Sequence, residues 1–151
     1  MKRLELGDSE LGILAGMLRK TDFFAPLTVG QLDRILPQVL LFSCAAGETV
    51  FKQGAAGDAF YVVYQGRVEV RLRRWGVFSR TVATLGPGEF FGESALISDA
   101  PRGATIVCAE PTRLFTLTAA DFRFVLSENP AAAAEMRRIA AQRRFVSAHA
   151  S

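Results

Sequence analysis

The sequence predicts a mainly β fold, a sandwich or barrel of short strands with helices before and after it. Apolar residues recur at helical spacing over residues 9–41, and after Phe42 the chain changes to short β-rich runs separated by glycine. From Thr118 onward the helical signals return. Because many short strands with glycine turns are typical of sandwiches and barrels, we expect the middle of the chain to form the sheets.

The N-terminal region is predicted to contain two helices. A break at residues 23–26 separates them, and Thr28 is a suitable cap for the second because its hydroxyl can accept from a free amide. The apolar residues on which these helices depend are Leu11, Leu14, Ala15 and Leu18, then Leu32, Ile35, Leu36 and Val39.

Strands are predicted over residues 48–51, 59–64, 67–72, 79–85, 105–109 and 112–117. Structured turns are expected at residues 54–58 and 86–89, where glycines permit backbone conformations that a regular ladder lacks. In the last third, Thr118 with Asp121 opens a capped helix, and Asn129 followed by Pro130 supplies the N-cap and first residue of another.

The composition is that of one ordinary globular domain, with 151 residues of which 50% are apolar and 22% charged. Cys44 and Cys108 lie in unrelated contexts and are predicted to be reduced thiols in buried strands. His149 is the only histidine, so we do not expect a metal site. No cofactor is predicted either.

No apolar run reaches the roughly 20 residues that a membrane helix needs, and residues 11–18 lack a signal-peptide pattern. We therefore expect a cytoplasmic protein without membrane insertion.

The net charge of +3 is mild. Solvated faces are the favoured interpretation of two arginine clusters, and an acidic partner or nucleic acid is the alternative. The clusters are Arg71, Arg73, Arg74 and Arg80, then Arg137, Arg138, Arg143 and Arg144.

The most informative stretch is residues 86–105, which read G-P-G-E-F-F-G-E-S-A-L-I-S-D-A-P-R-G-A-T. This stretch resembles the phosphate-binding cassette of the cyclic nucleotide-binding domain family, which runs F-G-E, a small or apolar residue, A-L, a variable stretch, then P-R and a small pair. The match lies in Phe91-Gly92-Glu93-Ser94-Ala95-Leu96 and Pro101-Arg102-Gly103-Ala104-Thr105. With its flanking strands and turns, the resemblance spans residues 23–144.

The resemblance implies a Greek-key jelly-roll β barrel with N-terminal helices, a short phosphate-binding helix, and C-terminal hinge and lid helices. It places the binding domain at residues 23–151, preceded by an N-terminal helix at residues 1–22. The hinge falls at residues 126–130. The ligand-binding residues that it implies in the cassette are Gly92, Glu93, Ser94, Ala95, Arg102, Gly103 and Ala104.

The chemistry of the cassette residues agrees with an anion site. Gly92 lacks a Cβ, so its backbone amide can approach an anion, and a helix over residues 94–98 would favour negative charge at its N-terminus. Arg102 offers a planar fork that matches two phosphate oxygens, and Glu93 can accept from ribose hydroxyls. The structural alternatives are that Glu93 pairs with Arg102 to close a loop and that Gly92 only permits a turn. Pro101 is expected to aim Arg102 without touching ligand.

The base is harder to place. By resemblance Val70 matches an adenine-contacting position, with plain core packing as the alternative. Arg143 is the candidate cap that stacks on the purine, with a solvated helix end as its alternative. Gly103 stands where family members that prefer or accept cGMP often have threonine or serine. Its lack of a hydroxyl favours cAMP, while cGMP and cyclic dinucleotides stay open.

The function expected from these residues is that of a cyclic nucleotide sensor, not an enzyme, because the sequence offers no nucleophile–base pair or metal cluster near the cassette. Ligand would rearrange the C-terminal helices and signal to an effector protein. The main alternative is a degenerate domain that serves as an interaction scaffold. Another is a regulatory piece of a channel or kinase complex. A DNA-binding regulator is disfavoured, since the residues after Ser127 leave no room for a winged domain. Self-association and the identity of the effector stay open.

Overall fold

The computed structural model describes residues 1–20, 25–74 and 78–149, and in the last helix it describes side chains as far as Arg143. The N-terminal elements are β1 (Lys2–Leu4), α1 (Asp8–Arg19), α2 (Val29–Ile35) and a 3-10 helix (Leu36–Gln38). The middle contains β2 (Leu40–Cys44), β3 (Thr49–Phe51), β4 (Ala59–Gln65), β5 (Val68–Arg74), β6 (Phe78–Leu85), β7 (Phe90–Phe91), α3 (Glu93–Ser98), β8 (Thr105–Cys108) and β9 (Thr112–Thr118). The chain continues with α4 (Ala119–Glu128) and α5 (Pro130–His149).

The strands form two antiparallel sheets. One has the order β1-β2-β9-β4-β7 and the other the order β3-β8-β5-β6. The predicted mainly β fold with flanking helices is therefore confirmed, and so is the short helix of the cassette, as α3. The predicted barrel does not close, because within the described residues each sheet ends in edge strands that do not pair across to the other sheet.

Two hydrophobic clusters hold the sheets and helices together, and β4 contributes to both. Its side chains alternate, as the period of a strand requires. Phe60 and Val62 face the helices, while Tyr61 and Val63 lie between the sheets. All four are buried, which explains why β4 reads as a continuous apolar run. The helix-side cluster also includes Leu14 and Leu18 of α1, together with residues of α2, α4 and α5.

The predicted helix caps are confirmed. Thr28 accepts from the Gln31 amide at 3.1 Å, and Thr118 accepts from the Asp121 amide at 3.4 Å. Asn129 caps α5 through its Oδ1, which accepts from the Ala132 amide at 3.0 Å. The Asn129 amide nitrogen also donates to the Pro26 carbonyl at 3.0 Å. The junction between α4 and α5 is thereby tied to the loop before α2.

The helical interpretation is wrong for residues 39–41, and residues 36–38 form a 3-10 helix instead of continuing the α-helix. Helix α2 ends at Ile35, and the 3-10 helix that follows holds Pro37, which has no amide hydrogen to continue an α-helical ladder. Leu40 and Leu41 already belong to β2, which pairs with β9. Consecutive apolar residues here satisfy both the helical and the extended period, so the pattern alone cannot distinguish them. The sequence reading also missed β1 and β7.

Some predictions fall on residues outside the described ranges. They are the Phe23-Phe24 part of the first break, the domain boundary at residues 22 and 23, and the side chains of Arg74 and Arg144. Both cysteines are free thiols and buried, as predicted, with Cys44 in β2 and Cys108 in β8.

Candidate functional site

An open cavity of about 480 Å³ lies between the four-stranded sheet, α3 and the end of α5. Every site residue predicted from the sequence lines it: Val70, Gly92, Glu93, Ser94, Ala95, Arg102, Gly103, Ala104 and Arg143. The remaining wall is made by Phe51, Val82, Ala83, Leu85, Phe91, Ile106 and Gln142. The cavity is therefore apolar on the sheet side and charged next to α3.

Arg102 is a buried cation at this cavity, with 2% of its surface exposed. Its Nη1 donates to the Gly92 carbonyl at 2.6 Å, and its Nη2 donates to the Ala59 carbonyl at 2.7 Å. Nη2 also lies 3.3 Å from the Asp58 carboxylate, whose side chain is 81% exposed. The guanidinium is thus held by two backbone carbonyls and one weak, solvent-facing ion pair.

The surroundings of Arg102 favour the arrival of an anion. Burial lowers the pKa of its guanidinium, which Tyr61 and Asp58 partly counteract, and arginine stays charged at any physiological pH. The Phe51 ring covers the guanidinium at 4.0 Å. Its Nε is buried and has no hydrogen-bond partner in the described part of the chain. A buried donor without a partner is costly, so the environment of Arg102 is not fully satisfied by the groups around it.

The backbone of Arg102 is fixed by the turn at residues 54–58. The Arg102 amide donates to the Ala55 carbonyl at 2.7 Å, and the Gly54 amide donates to the Arg102 carbonyl at 2.8 Å. From the sequence, Pro101 alone was expected to orient Arg102. The turn and Asp58 were missed as parts of the site, although the Gly57-Asp58 pair was recognised as a turn.

Gly92 allows the close contact with Arg102. It caps α3 with φ of +91°, a conformation that residues with a Cβ rarely adopt. A Cβ built on Gly92 would lie 3.0 Å from Arg102 Nη1 and 3.2 Å from the Ala59 carbonyl oxygen. The sequence predicted that the backbone amide of Gly92 would approach an anion. In this structure, the Gly92 carbonyl accepts a hydrogen bond from Arg102.

Glu93 begins α3 and is 1% exposed. Arg143 of α5 donates from Nη1 to Glu93 Oε1 at 2.8 Å, and its guanidinium lies over the Phe90 ring at 4.6 Å. The alternative in which Glu93 pairs with Arg102 is not what the structure has, because the ion pair of Glu93 is with Arg143. The last helix is thereby anchored on the first residue of the cassette helix.

Helix α3 is also tied to α4. Arg123 Nε donates to the Leu96 carbonyl at 3.4 Å, and Arg123 Nη2 lies 3.7 Å from the Asp99 carboxylate. Asp99 ends α3 in a left-handed conformation with φ of +50°. A displacement of α3 would therefore reach both C-terminal helices.

The apolar wall comes from the four-stranded sheet. Val70 of β5 pairs with Ala83 of β6 on one side and Ile106 of β8 on the other, and all three line the cavity. A flat apolar ligand group fits this wall, while Arg102 and Glu93 suit an anion and a hydroxyl.

The model of one protein family, described as the cyclic nucleotide-binding domain, matches residues 41–129. The chain belongs to this family. The match runs from β2 through the whole cassette to the N-cap of α5 and so contains every predicted site residue except Arg143.

Several relatives and solved structures share the cyclic nucleotide-binding domain. A cyclic nucleotide-gated potassium channel of Mesorhizobium japonicum is 38% identical over 84% of this chain and 34% of its own length. The cyclic AMP receptor protein of Thermus thermophilus is 36% identical over 64% of this chain and 45% of its own length. A co-crystal structure of the regulatory domain of Toxoplasma gondii PKA with cAMP superimposes with a TM-score of 0.76 at 26% identity, over 80% of this chain and 46% of that one.

The chain spans less than half the length of these curated relatives. In the described ranges, the structure holds no helix with both the length and the apolar character needed to span a lipid bilayer.

Proposed function

We propose that this cyclic nucleotide-binding domain takes cAMP as its preferred ligand in the 480 Å³ cavity and responds by moving α5. The observation that carries the proposal is that a buried cation, Arg102, and a buried carboxylate, Glu93, line the same cavity. A cyclic phosphate fused to a ribose carries one negative charge and a neighbouring hydroxyl, which is the complement of this pair.

Each part of the ligand has a matching group in the cavity. The phosphate suits Arg102 and the first backbone amides of α3, where the helix dipole favours negative charge. The ribose hydroxyl suits Glu93, which as a carboxylate can only accept. The base suits the wall around Val70, with Arg143 available to stack on its exposed face.

The preference for cAMP rests on Gly103. This residue lines the cavity next to Arg102 and has no side-chain hydroxyl to offer a guanine. Similar proteins are named for cyclic AMP, among them the receptor protein of Thermus thermophilus. Adenine recognition by apolar contact and stacking needs no such hydroxyl.

The response to ligand follows from the pairing of Glu93. A ribose hydroxyl that donates to Glu93 competes with Arg143 for the same carboxylate. The ligand therefore binds with different free energy depending on where α5 lies, which is the requirement for a population shift. An effector protein would detect the new position of α5. Binding without turnover is the proposed activity.

The test is isothermal titration of nucleotide-free protein with cAMP, cGMP and 5′-AMP. We expect micromolar or tighter binding of cAMP, weaker binding of cGMP, and weak binding of 5′-AMP because its second phosphate charge meets Glu93.

Arg102→Lys keeps the charge but loses the planar fork, and should weaken cAMP binding by roughly 2–4 kcal/mol. Arg80→Lys makes the same exchange at an exposed site outside the cavity and should leave affinity unchanged. Equal loss in both variants would contradict the assignment of Arg102.

An interaction scaffold that binds no nucleotide is the second candidate, and one observation favours it. Glu93 is already satisfied by Arg143, and two nitrogens of Arg102 are satisfied by backbone carbonyls, so the fold does not depend on a ligand. The same titration decides between the two, since a scaffold would bind none of the three nucleotides.

A further inference from the structure

Phe51 borders the cavity at the point where the guanidinium of Arg102 is buried. The Cζ atom of Arg102 lies over the Phe51 ring, 4.0 Å from its centroid. An aromatic ring attracts a cation that lies over its face within about 6 Å of the centroid, so the two side chains are well inside this range. Phe51 was not predicted from the sequence as a site residue.

Strand pairing and two buried rings hold Phe51 in place. Phe51 is the last residue of β3, and its backbone pairs with Ile106 of β8. Its ring packs against the rings of Tyr61 and Phe91, with centroid separations of 6.0 Å and 5.9 Å. These two rings are stacked on each other at 5.1 Å, and both side chains are buried. The Phe51 ring therefore has a fixed position from which to contact Arg102.

The ring and the backbone carbonyls act on different parts of the guanidinium. Nη1 and Nη2 donate to the carbonyls of Gly92 and Ala59, whereas Phe51 lies against Cζ. Two hydrogen bonds alone leave the group able to rotate about the axis that joins Nη1 and Nη2. Contact at Cζ restrains this rotation, so Phe51 contributes to the orientation of Arg102.

The ring also stabilises the charge of Arg102 in a way that its polar partners do not. Burial lowers the pKa of the guanidinium, because a charge is less stable away from water. A buried carboxylate beside Arg102 would compensate for this burial, but it would also cancel the charge that an anion needs. The Phe51 ring has no net charge and presents the negative face of its quadrupole. It therefore stabilises the cation without neutralising it.

We propose that Phe51 is a positioning residue for ligand binding, which keeps the Arg102 guanidinium charged and oriented for the phosphate of a cyclic nucleotide. The inference rests on the proposed function of the cavity. Phe51 acts through Arg102, so the electron-rich ring is what the site requires at this place. Ordinary packing of the cavity wall is the alternative, and it requires only an apolar side chain of similar volume.

The test varies the charge distribution of the Phe51 ring while the shape of the side chain changes little. In the full chain, Phe51 is replaced by phenylalanine analogues that carry one, two and three fluorine atoms on the ring. Fluorine withdraws electrons, so each step weakens the attraction of the ring for a cation. Isothermal titration should show an affinity for cAMP that falls with every added fluorine, by about three- to tenfold over the series. Phe51→Leu removes the ring and should weaken cAMP binding about three- to thirtyfold.

Phe115 provides the matched control. It is buried in the helix-side cluster and does not line the cavity, so the same fluorine series at Phe115 should leave the affinity for cAMP unchanged. Circular dichroism of all proteins verifies that the fold is kept.

The outcomes separate the role of Phe51 from the function of the cavity. If the wild type binds cAMP and the affinity is constant across the Phe51 series, Phe51 only packs in the wall and the proposal is wrong. An equal fall in the Phe115 series would also overturn it, because the effect would then not come from the contact with Arg102. A wild type that binds no cAMP would contradict the proposed function itself, and with it the role of Phe51.

Discussion

Arg143 Nη1 and Glu93 Oε1 lie 2.8 Å apart, which joins two residues separated by 50 positions in the chain. Glu93 is the first residue of α3, and Arg143 lies in the last helix, so this contact couples the cassette to α5. Arg143 also lies over the Phe90 ring of β7, which gives α5 a second anchor at the same place. In this structure, α5 is therefore held next to the cassette by the contacts of Arg143 with Glu93 and Phe90.

Replacing Arg143 tests this coupling. In Arg143→Ala the Glu93 carboxylate stays buried without a charged partner, and the free energy of unfolding should fall by about 1–3 kcal/mol. The value lies below that of a fully buried pair because the Arg143 side chain is 35% exposed. Hydrogen exchange of the α5 amides should increase as well.

Arg137→Ala is the matched control for Arg143→Ala. Arg137 is an exposed arginine of the same helix, and it does not line the cavity. Denaturant unfolding of both variants gives the comparison, and equal effects would contradict a specific role for the Glu93–Arg143 pair.

The role of Glu93 toward the ligand can be isolated with the 2′-deoxy analogue of cAMP. If Glu93 accepts from the ribose hydroxyl, the wild type should bind cAMP more tightly than the analogue by about 1.5–3 kcal/mol, the usual range for a hydrogen bond to a charged group. In Glu93→Gln this difference should shrink to about 1 kcal/mol or less.

The four affinities form a cycle whose interaction energy belongs to the Glu93–hydroxyl contact alone. Calorimetry supplies them. If the difference in binding free energy between cAMP and the analogue is the same in the wild type and in Glu93→Gln, Glu93 does not accept from the ribose hydroxyl. This conclusion holds even if the variant binds both ligands more weakly.

Gly92→Ala and Gly88→Ala separate backbone strain from close packing. Both glycines have positive φ, +91° at Gly92 and +86° at Gly88. At Gly88 an added Cβ meets nothing within 4 Å, whereas at Gly92 it approaches Arg102 and the Ala59 carbonyl. Gly88→Ala should therefore cost about 1 kcal/mol of stability, and Gly92→Ala about 2–4 kcal/mol.

Only the Gly92 variant should also weaken nucleotide binding, because Arg102 must move to accommodate the methyl group. Thermal unfolding and titration of both variants are the measurements. Equal stability losses would show that the contact between Gly92 and Arg102 is not tight.

Local signals explain which parts of the molecule could be predicted from sequence. The caps at Thr28, Thr118 and Asn129 act within three residues of chain, and the cassette is contiguous, so both were recognised. Phe51 and Asp58 reach Arg102 only through strand pairing and turn packing that no local pattern encodes.

Glu93 and Arg143 were each predicted to bind ligand from the chemistry of their own side chains, and no sequence pattern indicates that they pair with each other. Their contact depends on the path of α4 and α5 across the sandwich, which sequence spacing does not determine. The strand β2 was missed for another reason, since its apolar residues continue the helical period of α2.

The ionisation of the Tyr61 hydroxyl predicts how the free energy of unfolding changes at alkaline pH. Burial, followed by the charge of Asp58, raises the pKa of its hydroxyl from 10 to about 12. In the unfolded chain the hydroxyl ionises near pH 10, while in the folded protein it stays protonated until about pH 12. The unfolded state therefore binds fewer protons in this interval, and stability is full below pH 10 and falls as pH rises toward 12. Two pKa units correspond to about 2.7 kcal/mol.

Tyr61→Phe lacks this ionisation, so the stability of the wild type relative to the variant should be constant up to pH 10 and then decline by about 2–3 kcal/mol. Urea unfolding of both proteins at a series of pH values measures the difference, and curves that stay parallel up to pH 12 would mean that the Tyr61 hydroxyl ionises as easily in the fold as in the unfolded chain.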